Sequence, residues 1–120
     1  DLPVTFLKAA GIEKPHWMSG LNQLPCWTSG GETVRRHTLV ENKHDPENCE
    51  LKTYIDERYK ITVYRGLDFG ELYDMEADPG EFVNRWEDPD YTVIRAKLLQ
   101  AFIQAEMANE VVPMPRTWGA

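Results

Sequence analysis

The chain has no excess of basic residues and no long apolar run. Its 13 Lys and Arg residues are outnumbered by 20 Asp and Glu residues, which gives a net charge of -7. Nucleic acid phosphates and anionic membranes attract clusters of Lys and Arg, so we expect neither as a partner. Because no run of about 18 apolar residues is present, the sequence predicts no membrane-spanning helix. The first residues also lack the pattern of a signal peptide.

Cysteine is scarce as well. Cys26 and Cys49 are the two cysteines of the chain, and they are too far apart to form a C-x-x-C pair. Two cysteines cannot build a disulfide framework in a chain of this size. We interpret them as two unrelated thiols, with one disulfide between them as the alternative. The remaining composition, 42% hydrophobic and 28% charged, is typical of a globular domain.

The first third of the chain predicts a short helix followed by a long loop. Apolar residues recur at helical spacing over residues 2–10, with a proline in the first turn and Gly11 at the end. Residues 15–33 show no period, although they contain Trp17 and Trp27. Loops of this length are uncommon in compact domains. Either this loop crosses the chain's own sheet, or its partner surface lies elsewhere.

The middle of the chain predicts a small antiparallel sheet. Residues 51–56 and 59–64 alternate between apolar and polar side chains, and the short joint between them favours a hairpin. Two further segments, residues 37–42 and 70–75, have the composition of strands. We therefore predict four strands that follow one another along the chain.

The last predicted element is a long helix. Asp88 and Pro89 suit the cap and the first position of a helix. The apolar residues that follow form one stripe, with Lys97, Gln100 and Gln104 opposite: Tyr91, Ile94, Leu98, Ala101, Phe102 and Ala105. Such a helix must cover the sheet, and the proline-containing tail at residues 111–120 is predicted to be extended. The fold class is therefore α+β, a four-stranded antiparallel sheet packed by a C-terminal helix and preceded by a short helix and a long loop.

Reactive residues do not form a recognisable site. The three histidines, His16, His37 and His44, fall in different elements, without the i, i+4 spacing that places two imidazoles on one helical face for a metal. No nucleophile motif such as G-x-S-x-G is present. We interpret the histidines as ordinary polar residues, and we assign no catalytic residue to the chain.

One acidic cluster has the composition of a calcium loop, and it comprises Asp74, Glu76, Asp78 and Glu81. An EF-hand loop counted from Asp74 requires glycine at position 79 and an acidic residue at position 85. The chain has Pro79 and Arg85 there, so the spacing does not fit. We interpret Asp78-Pro79-Gly80 as a turn in which Asp78 accepts backbone N–H groups, and we expect Glu81 to begin a short helical turn. No metal ligand is assigned.

The order of several segments resembles the end of a sulfatase. Residues 70–84 read GELYDMEADPGEFVN and resemble the family's "ELYDLxxDPxExxN" signature. Residues 57–62, ERYKIT, resemble its "xRYKLI" strand, and residues 1–12 and 17–20 resemble its "DLxPTLLxxAGI" helix and "MDG" turn. The residues that match the signature are Glu71, Leu72, Tyr73, Asp74, Asp78, Pro79, Glu81 and Asn84. The chain is thus similar to the C-terminal region of formylglycine-dependent sulfatases of the alkaline phosphatase superfamily.

The resemblance also implies what the chain lacks. Sulfatases mature a Cys or Ser in a C-x-P-x-R or S-x-P-x-R motif to formylglycine, whereas Cys26 is followed by WTSG and Cys49 by ELKT. In the family, the calcium ligands and the sulfate-binding Lys and His precede the "DLxPTLL" helix. We therefore expect calcium and formylglycine in a longer parent protein and no cofactor in this chain, whose substrate-binding residues stay unassigned.

The resemblance implies a division of the chain and a partner. Residues 1–33 correspond to the end of the parent's α/β domain, and residues 34–120 to the sulfatase C-terminal subdomain. The expected partner is the N-terminal α/β domain of the same parent protein, and without it residues 1–33 are predicted to self-associate or to be disordered. Two alternatives stay open. One is the same subdomain of a phosphonate or phosphate monoester hydrolase, and the other is a stand-alone binding module that uses Trp17 and Trp27.

Overall fold

The computed structural model describes residues 1–30, 33–45 and 49–110. It contains two compact units, the first with Asp1–Arg35 together with Asn109 and Glu110, and the second with Arg36–Ala108. The predicted extended tail at residues 111–120 lies outside the described residues. Within them, no helix combines the length and the apolar character that a membrane crossing requires.

The first unit contains two short helices, α1 over Leu2–Ala9 and α2 over Leu24–Ser29. Helix α1 confirms the predicted first helix, and Gly11 follows it with a positive φ of 71° that glycine adopts without strain. Helix α2 corrects the prediction of a loop throughout residues 15–33. A proline in the first turn of α2 and the left-handed Gly30 at its end define this helix, which is too short to show an apolar period.

A polar network holds the first unit together. The carboxylate of Asp1 accepts the backbone N–H of Leu21 at 2.8 Å and the side-chain amide of Gln23 at 2.9 Å. The guanidinium of Arg35 also donates to it, with Nε at 2.6 Å. Val4 and Thr5 of α1 are buried, and the hydroxyl of Thr5 accepts the N–H of Gln23 at 2.9 Å. Hydrogen bonds to one carboxylate therefore join α1 to the segments that follow it.

The second unit contains the predicted four-stranded sheet. Its strands are β1 over His37–Asp45, β2 over Cys49–Asp56, β3 over Tyr59–Tyr64 and β4 over Gly70–Asp74. They lie in the order β1-β2-β3-β4, and each neighbouring pair is antiparallel. The structure confirms the α+β fold class and the hairpin between β2 and β3. Strand β1 is longer than predicted, and β4 ends one residue earlier.

Helix α3 covers one face of the sheet. A short 3₁₀ turn at Pro89–Tyr91 leads into α3, which spans Thr92–Asn109. Asp88 caps the turn by accepting the N–H of Asp90 at 3.0 Å, as predicted for this position. Every residue of the predicted apolar stripe belongs to the core or packs against it, and the fully enclosed part of that core comprises Tyr54, Ile61, Leu72, Leu98, Phe102 and Ala105.

The strand register separates the two faces of the sheet. Tyr54 lies opposite Ile61, and Ile61 lies opposite Leu72, so these three residues share the face that α3 covers. Alternate residues point to the other side, which we call the open face. It carries the buried pair Thr53 and Thr62, whose hydroxyls are 2.9 Å apart, and around them Val40, Leu51, Ile55, Tyr64 and Tyr73.

Candidate functional site

The residues with the most specific sequence pattern, 70–84, meet at the end of β4. Asp74 lies at their centre and is only 2% exposed. Its carboxylate receives two hydrogen bonds from the guanidinium of Arg58, from Nε at 3.0 Å and from Nη2 at 2.8 Å. The hydroxyl of Tyr91 donates to the same carboxylate at 3.2 Å. Asp74 thus joins the β2–β3 hairpin, strand β4 and the turn that begins the last helical segment.

The electrostatics of this site favour the charged carboxylate. The hydrogen bonds from Arg58 outweigh the opposing effect of burial and hold the pKa of Asp74 at about 2. The backbone N–H groups of Glu76 and Ala77 also point at its Oδ1, at 3.3 and 3.2 Å. A carboxylate with this low pKa is a poor general acid or base at neutral pH. The bidentate pair is suited to holding segments together.

Asn84 completes the edge of the sheet. Its side-chain oxygen accepts the N–H of Leu72 at 2.9 Å, and its Nδ2 donates to the carbonyl of Gly70 at 3.0 Å. The backbone N–H of Arg85 then donates to the carbonyl of Leu72 at 2.7 Å. Strand β4 is an edge strand, and its outer N–H and C=O groups would otherwise lack partners. Asn84 therefore supplies, at this edge, hydrogen bonds of the kind that a fifth strand would make.

The turn between Asp74 and Asn84 is also held by side chains. The N–H of Glu81 donates to the carbonyl of Asp78 at 3.0 Å, and Oδ2 of Asp78 accepts the N–H of Val83 at 2.8 Å. The predicted turn at Asp78-Pro79-Gly80 is confirmed. The prediction that Glu81 begins a helical turn is wrong, because Glu81 has a φ of +55° and ends the turn in the left-handed region.

The remaining signature residues serve packing and charge pairing. Leu72 is fully buried in the core. Tyr73 lies on the open face beneath Lys60, whose ammonium is 5.1 Å from the ring centroid and pairs with the carboxylate of Glu81. Glu71 accepts a hydrogen bond from the hydroxyl of Tyr64 at 3.0 Å. Every charged member of the signature therefore has a partner within the second unit.

The other reactive side chains are not brought together. His16 is exposed in the first unit, whereas His37 stacks on Tyr54 with ring centroids 5.4 Å apart. The side chain of His44 lies outside the described part of the chain. Cys26 and Cys49 are not joined by a disulfide. Among the described residues, no group of three or more His, Cys, Asp or Glu side chains surrounds a common point for a metal ion.

Comparison with known proteins identifies the family of this chain. A family model described as the C-terminal region of N-sulphoglucosamine sulphohydrolase matches residues 1–108. The chain belongs to this sulfatase family. In this chain, side chains of residues 70–84 hold the end of β4, hydrogen-bond to the sheet edge and contact the start of the last helical segment.

Two curated relatives of this sulfatase region come from Bacteroides thetaiotaomicron. The chain is 35% identical to a delta 4,5-hexuronate-2-O-sulfatase over 101 residues, covering 81% of this chain and 21% of that protein. It is 29% identical to an N-acetylglucosamine-6-O-sulfatase over 107 residues, covering 83% of this chain and 19% of that protein. The sulfatase region therefore spans about a fifth of the length of these relatives.

Solved structures share the fold. A protein in complex with its substrate D-glucosamine-2-N,6-O-disulfate superposes with a TM-score of 0.81 at 24% identity, over 92% of this chain and 24% of that one. A phosphonate monoester hydrolase from Silicibacter pomeroyi superposes with a TM-score of 0.78 at 22% identity, over 96% of this chain and 26% of that one. At these identities the likeness concerns the fold alone.

Proposed function

We propose that this chain is the C-terminal subdomain of a sulfatase that hydrolyses sulfuric esters, and that it acts as scaffold and is inactive alone. The observation that carries the proposal is the match of the sulfatase C-terminal model to residues 1–108. The geometry supports a scaffold role, since Asp74, Asn84 and Glu81 all form hydrogen bonds or ion pairs with other residues of the second unit. In this proposal the nucleophile and its metal lie on the α/β domain of the same parent protein.

Sulfate ester hydrolysis supports this division of labour on chemical grounds. The reaction needs a nucleophile, a cation that offsets charge on the sulfate oxygens and an acid for the leaving group, all in one pocket. The carboxylate of Asp74 is buried, and its ion pair with Arg58 holds it in the charged form. It therefore offers neither a proton at neutral pH nor an open coordination position. The chain contributes to catalysis by supporting the neighbouring domain, and its loops border the substrate cleft.

The substrate of the parent enzyme is proposed to be a sulfated sugar. The two curated relatives are named as sulfatases of a hexuronate and of N-acetylglucosamine, and the matching family model is named for N-sulphoglucosamine. The alternative chemistry is phosphonate or phosphate monoester hydrolysis, which is favoured by the TM-score of 0.78 with a phosphonate monoester hydrolase. A stand-alone binding module is the other alternative, because Trp17 and Trp27 are 64% and 54% exposed.

Activity assays separate these candidates. The purified 120-residue chain is expected to show no turnover of an aryl sulfate or an aryl phosphate above buffer, and no stoichiometric calcium. Turnover that survives repurification, or one tightly bound calcium per chain, would contradict the scaffold proposal. The complete parent protein is then assayed with sulfated monosaccharides and with a phosphonate monoester. Preference for the phosphonate would favour the alternative chemistry, and a protein with no C-x-P-x-R or S-x-P-x-R motif would favour the binding module.

A further inference from the structure

Helix α3 has an apolar stripe on the side that faces away from the sheet. Its inner side packs on the core, but on the opposite side Val93, Ile103 and Met107 are 65%, 60% and 63% exposed. Ala96 and Gln100 are exposed between them, so the five residues follow the alternating spacing of three and four positions that keeps side chains on one side of a helix. We call these five residues the outer stripe. Apolar side chains that are scattered singly are normal at a surface, whereas a continuous group of them marks a contact.

The exposed side of α3 also carries very little charge. Ten of the 18 residues of α3 are exposed, and Lys97 is the charged one among them. The whole chain is 28% charged. A solvated helix side usually carries charged residues, whereas depletion of charge is typical of the centre of a protein interface. The composition of α3 therefore indicates that another protein surface covers its exposed side.

The charge of the whole chain favours a second copy at this place. The net charge is -7, so two copies repel each other over most of their surfaces. The 20 Asp and Glu residues are spread over the chain, but none is an exposed residue of α3. Two copies that approach through α3 thus bring no acidic groups together in the contact.

The outer stripe is complementary to itself. Gln100 is its middle residue, with Val93 seven positions before it and Met107 seven positions after it. When two such helices cross antiparallel about a two-fold axis at Gln100, each Val93 meets the Met107 of the other copy. The two Gln100 amides then face each other, and each amide has both donors and an acceptor for the pair. Self-complementarity of this kind is what a two-fold contact between identical chains requires.

We propose that the outer stripe is a contact between two copies of this protein, antiparallel about a two-fold axis at Gln100. A standard interface has about 20 to 30 residues and about 800 Å² on each partner. By that ratio, the ten exposed residues of α3 give roughly 300 to 400 Å² on each copy. This area places the contact at the weak end of protein interfaces. Alone it forms a transient pair, so it leaves the average mass of the isolated chain close to that of a monomer.

Disulfide trapping detects a transient contact that light scattering misses. The test uses the 120-residue chain with Trp17→Ser and Trp27→Ser, which remove the predicted association through the first unit. It also carries Cys26→Ser and Cys49→Ser, which remove the native thiols. One cysteine is then introduced on α3, the protein is oxidised with diamide at several concentrations, and the disulfide-linked dimer is measured by non-reducing electrophoresis.

Gln100→Cys is compared with Gln104→Cys, because both glutamines are exposed on α3. Packed helices have axes about 8–10 Å apart and Cα atoms about 2.3 Å from each axis, so the two Cα atoms at position 100 lie roughly 4 to 5 Å apart. A disulfide requires Cα atoms about 4.4 to 6.8 Å apart. The two Cα atoms at position 104 are displaced from each other by about 12 Å along the helices. We expect Gln100→Cys to form the linked dimer at least tenfold faster than Gln104→Cys.

A charge placed in the outer stripe is a second test. Ile103→Asp, added to the Gln100→Cys chain, puts one carboxylate from each copy into the contact and is expected to slow linkage at least tenfold. Phe82→Asp is the matched control, because Phe82 is also an exposed apolar residue of the second unit but lies outside α3. This control should link as fast as the Gln100→Cys chain. Chemical denaturation shows whether each variant is folded.

The remaining outcomes overturn the proposal. Equal rates at positions 100 and 104 would show random collision, and no linkage at either position would show that the stripes do not meet. Linkage that Ile103→Asp leaves unchanged would place the contact elsewhere. Linkage of Gln100→Cys that appears only after residues 111–120 are deleted would show that this segment covers the stripe in place of a second copy.

Discussion

The two units of the chain are stabilised in different ways. In the second unit, Tyr54, Ile61, Leu72, Leu98 and Phe102 form an enclosed core between the sheet and α3. In the first unit, Val4 and Thr5 are the buried residues among the described positions up to Arg35. Hydrogen bonds to the carboxylate of Asp1 connect the later segments of this unit to its start. Burial of apolar surface is the main source of folding free energy, whereas a hydrogen bond contributes only about 1 kcal/mol net. The buried core of the second unit therefore favours folding without help from the first unit. The first unit has few buried residues that could stabilise it alone.

Both units also have large apolar side chains at their surface. The first unit leaves Leu2, Phe6, Trp17 and Trp27 more than half exposed. Large apolar side chains that are exposed together usually mark a surface that another protein or domain covers. For the first unit, this exposure agrees with the prediction that residues 1–33 end an α/β domain. The following predictions test this contrast.

The largest expected effect is the loss of a core side chain in the second unit. Phe102 is 4% exposed and contacts Tyr54, with ring centroids 5.9 Å apart. Phe102→Ala is expected to lower the free energy of unfolding of this unit by about 3 to 5 kcal/mol, because it removes buried surface and leaves a cavity. Gln100→Ala, on the exposed side of α3, should change it by less than about 0.5 kcal/mol. Chemical denaturation of each variant measures both values.

The same variant tests whether the units are independent. Hydrogen exchange of Phe102→Ala is expected to lose protection in β2, β3 and β4, while the amides of Asp1–Arg35 exchange as in the wild type. If the exchange rates of Asp1–Arg35 rise by the same factor, the two units fold as one, and the contrast between them is wrong.

The next effect concerns Asp74 and depends on pH. Its folded pKa of about 2 lies below the ordinary value of 3.8, because Arg58 stabilises the charged form. A group whose pKa is depressed by folding contributes stability above its unfolded pKa and loses it as the pH falls through its folded pKa. Asp74→Asn is therefore expected to cost about 2 kcal/mol at pH 7. This cost should shrink as the pH falls from about 4 to about 2.

A nearby carboxylate supplies the control for Asp74. Glu76 also pairs with Arg58, at 3.1 Å, but its side chain is 71% exposed. Glu76→Gln should therefore change the free energy of unfolding by less than about 0.5 kcal/mol at any pH, since exposed ion pairs contribute little. Urea denaturation of both variants at pH 7, 4 and 2.5 gives the comparison. A cost for Asp74→Asn that is independent of pH would show that its packing, and not its charge, stabilises the site.

Elements with a strong local period could be predicted from the sequence. The apolar stripe of α3, the hairpin between β2 and β3 and the Asp88 cap all depend on neighbours within a few residues, and the structure confirms them. Helix α2 was missed because a helix of six residues, with Pro25 in its first turn, is too short to show an apolar period. The left-handed Glu81 was missed because a non-glycine residue in that region carries no composition signal.

The contacts of the signature could not be derived from residue types alone. Arg58 and Asp74 are 16 positions apart, and Asn84 reaches the backbone of Gly70 across 14 positions. Local propensity says nothing about pairs at such distances, because the sheet register decides which strand ends meet. The resemblance to sulfatases identified the residues of the signature as a group, and the structure shows that several of them make polar contacts around strand β4.

The smallest expected change in the free energy of unfolding follows replacement of the exposed tryptophans of the first unit. The main effect of that replacement is expected on the self-association of the isolated chain. Trp17 and Trp27 are 64% and 54% exposed, so replacing them with Ser removes little buried surface. The double variant Trp17→Ser, Trp27→Ser should therefore keep the unfolding free energy of the second unit within about 0.5 kcal/mol of the wild type. Because these rings supply much of the apolar area of residues 1–33, we expect the variant to lose the predicted self-association of the isolated chain.

Light scattering after size exclusion, over a range of concentrations, measures the mass of each species. The wild-type chain is expected to exceed the monomer mass at high concentration, and the double variant to stay monomeric. Phe82→Ser is the control, because Phe82 is 88% exposed but belongs to the second unit, so this variant should associate like the wild type. A wild-type chain that remains a monomer, with amides of residues 1–30 protected from exchange, would show that the first unit is stable without a partner. Its exposed rings would then support the stand-alone binding module over the sulfatase scaffold.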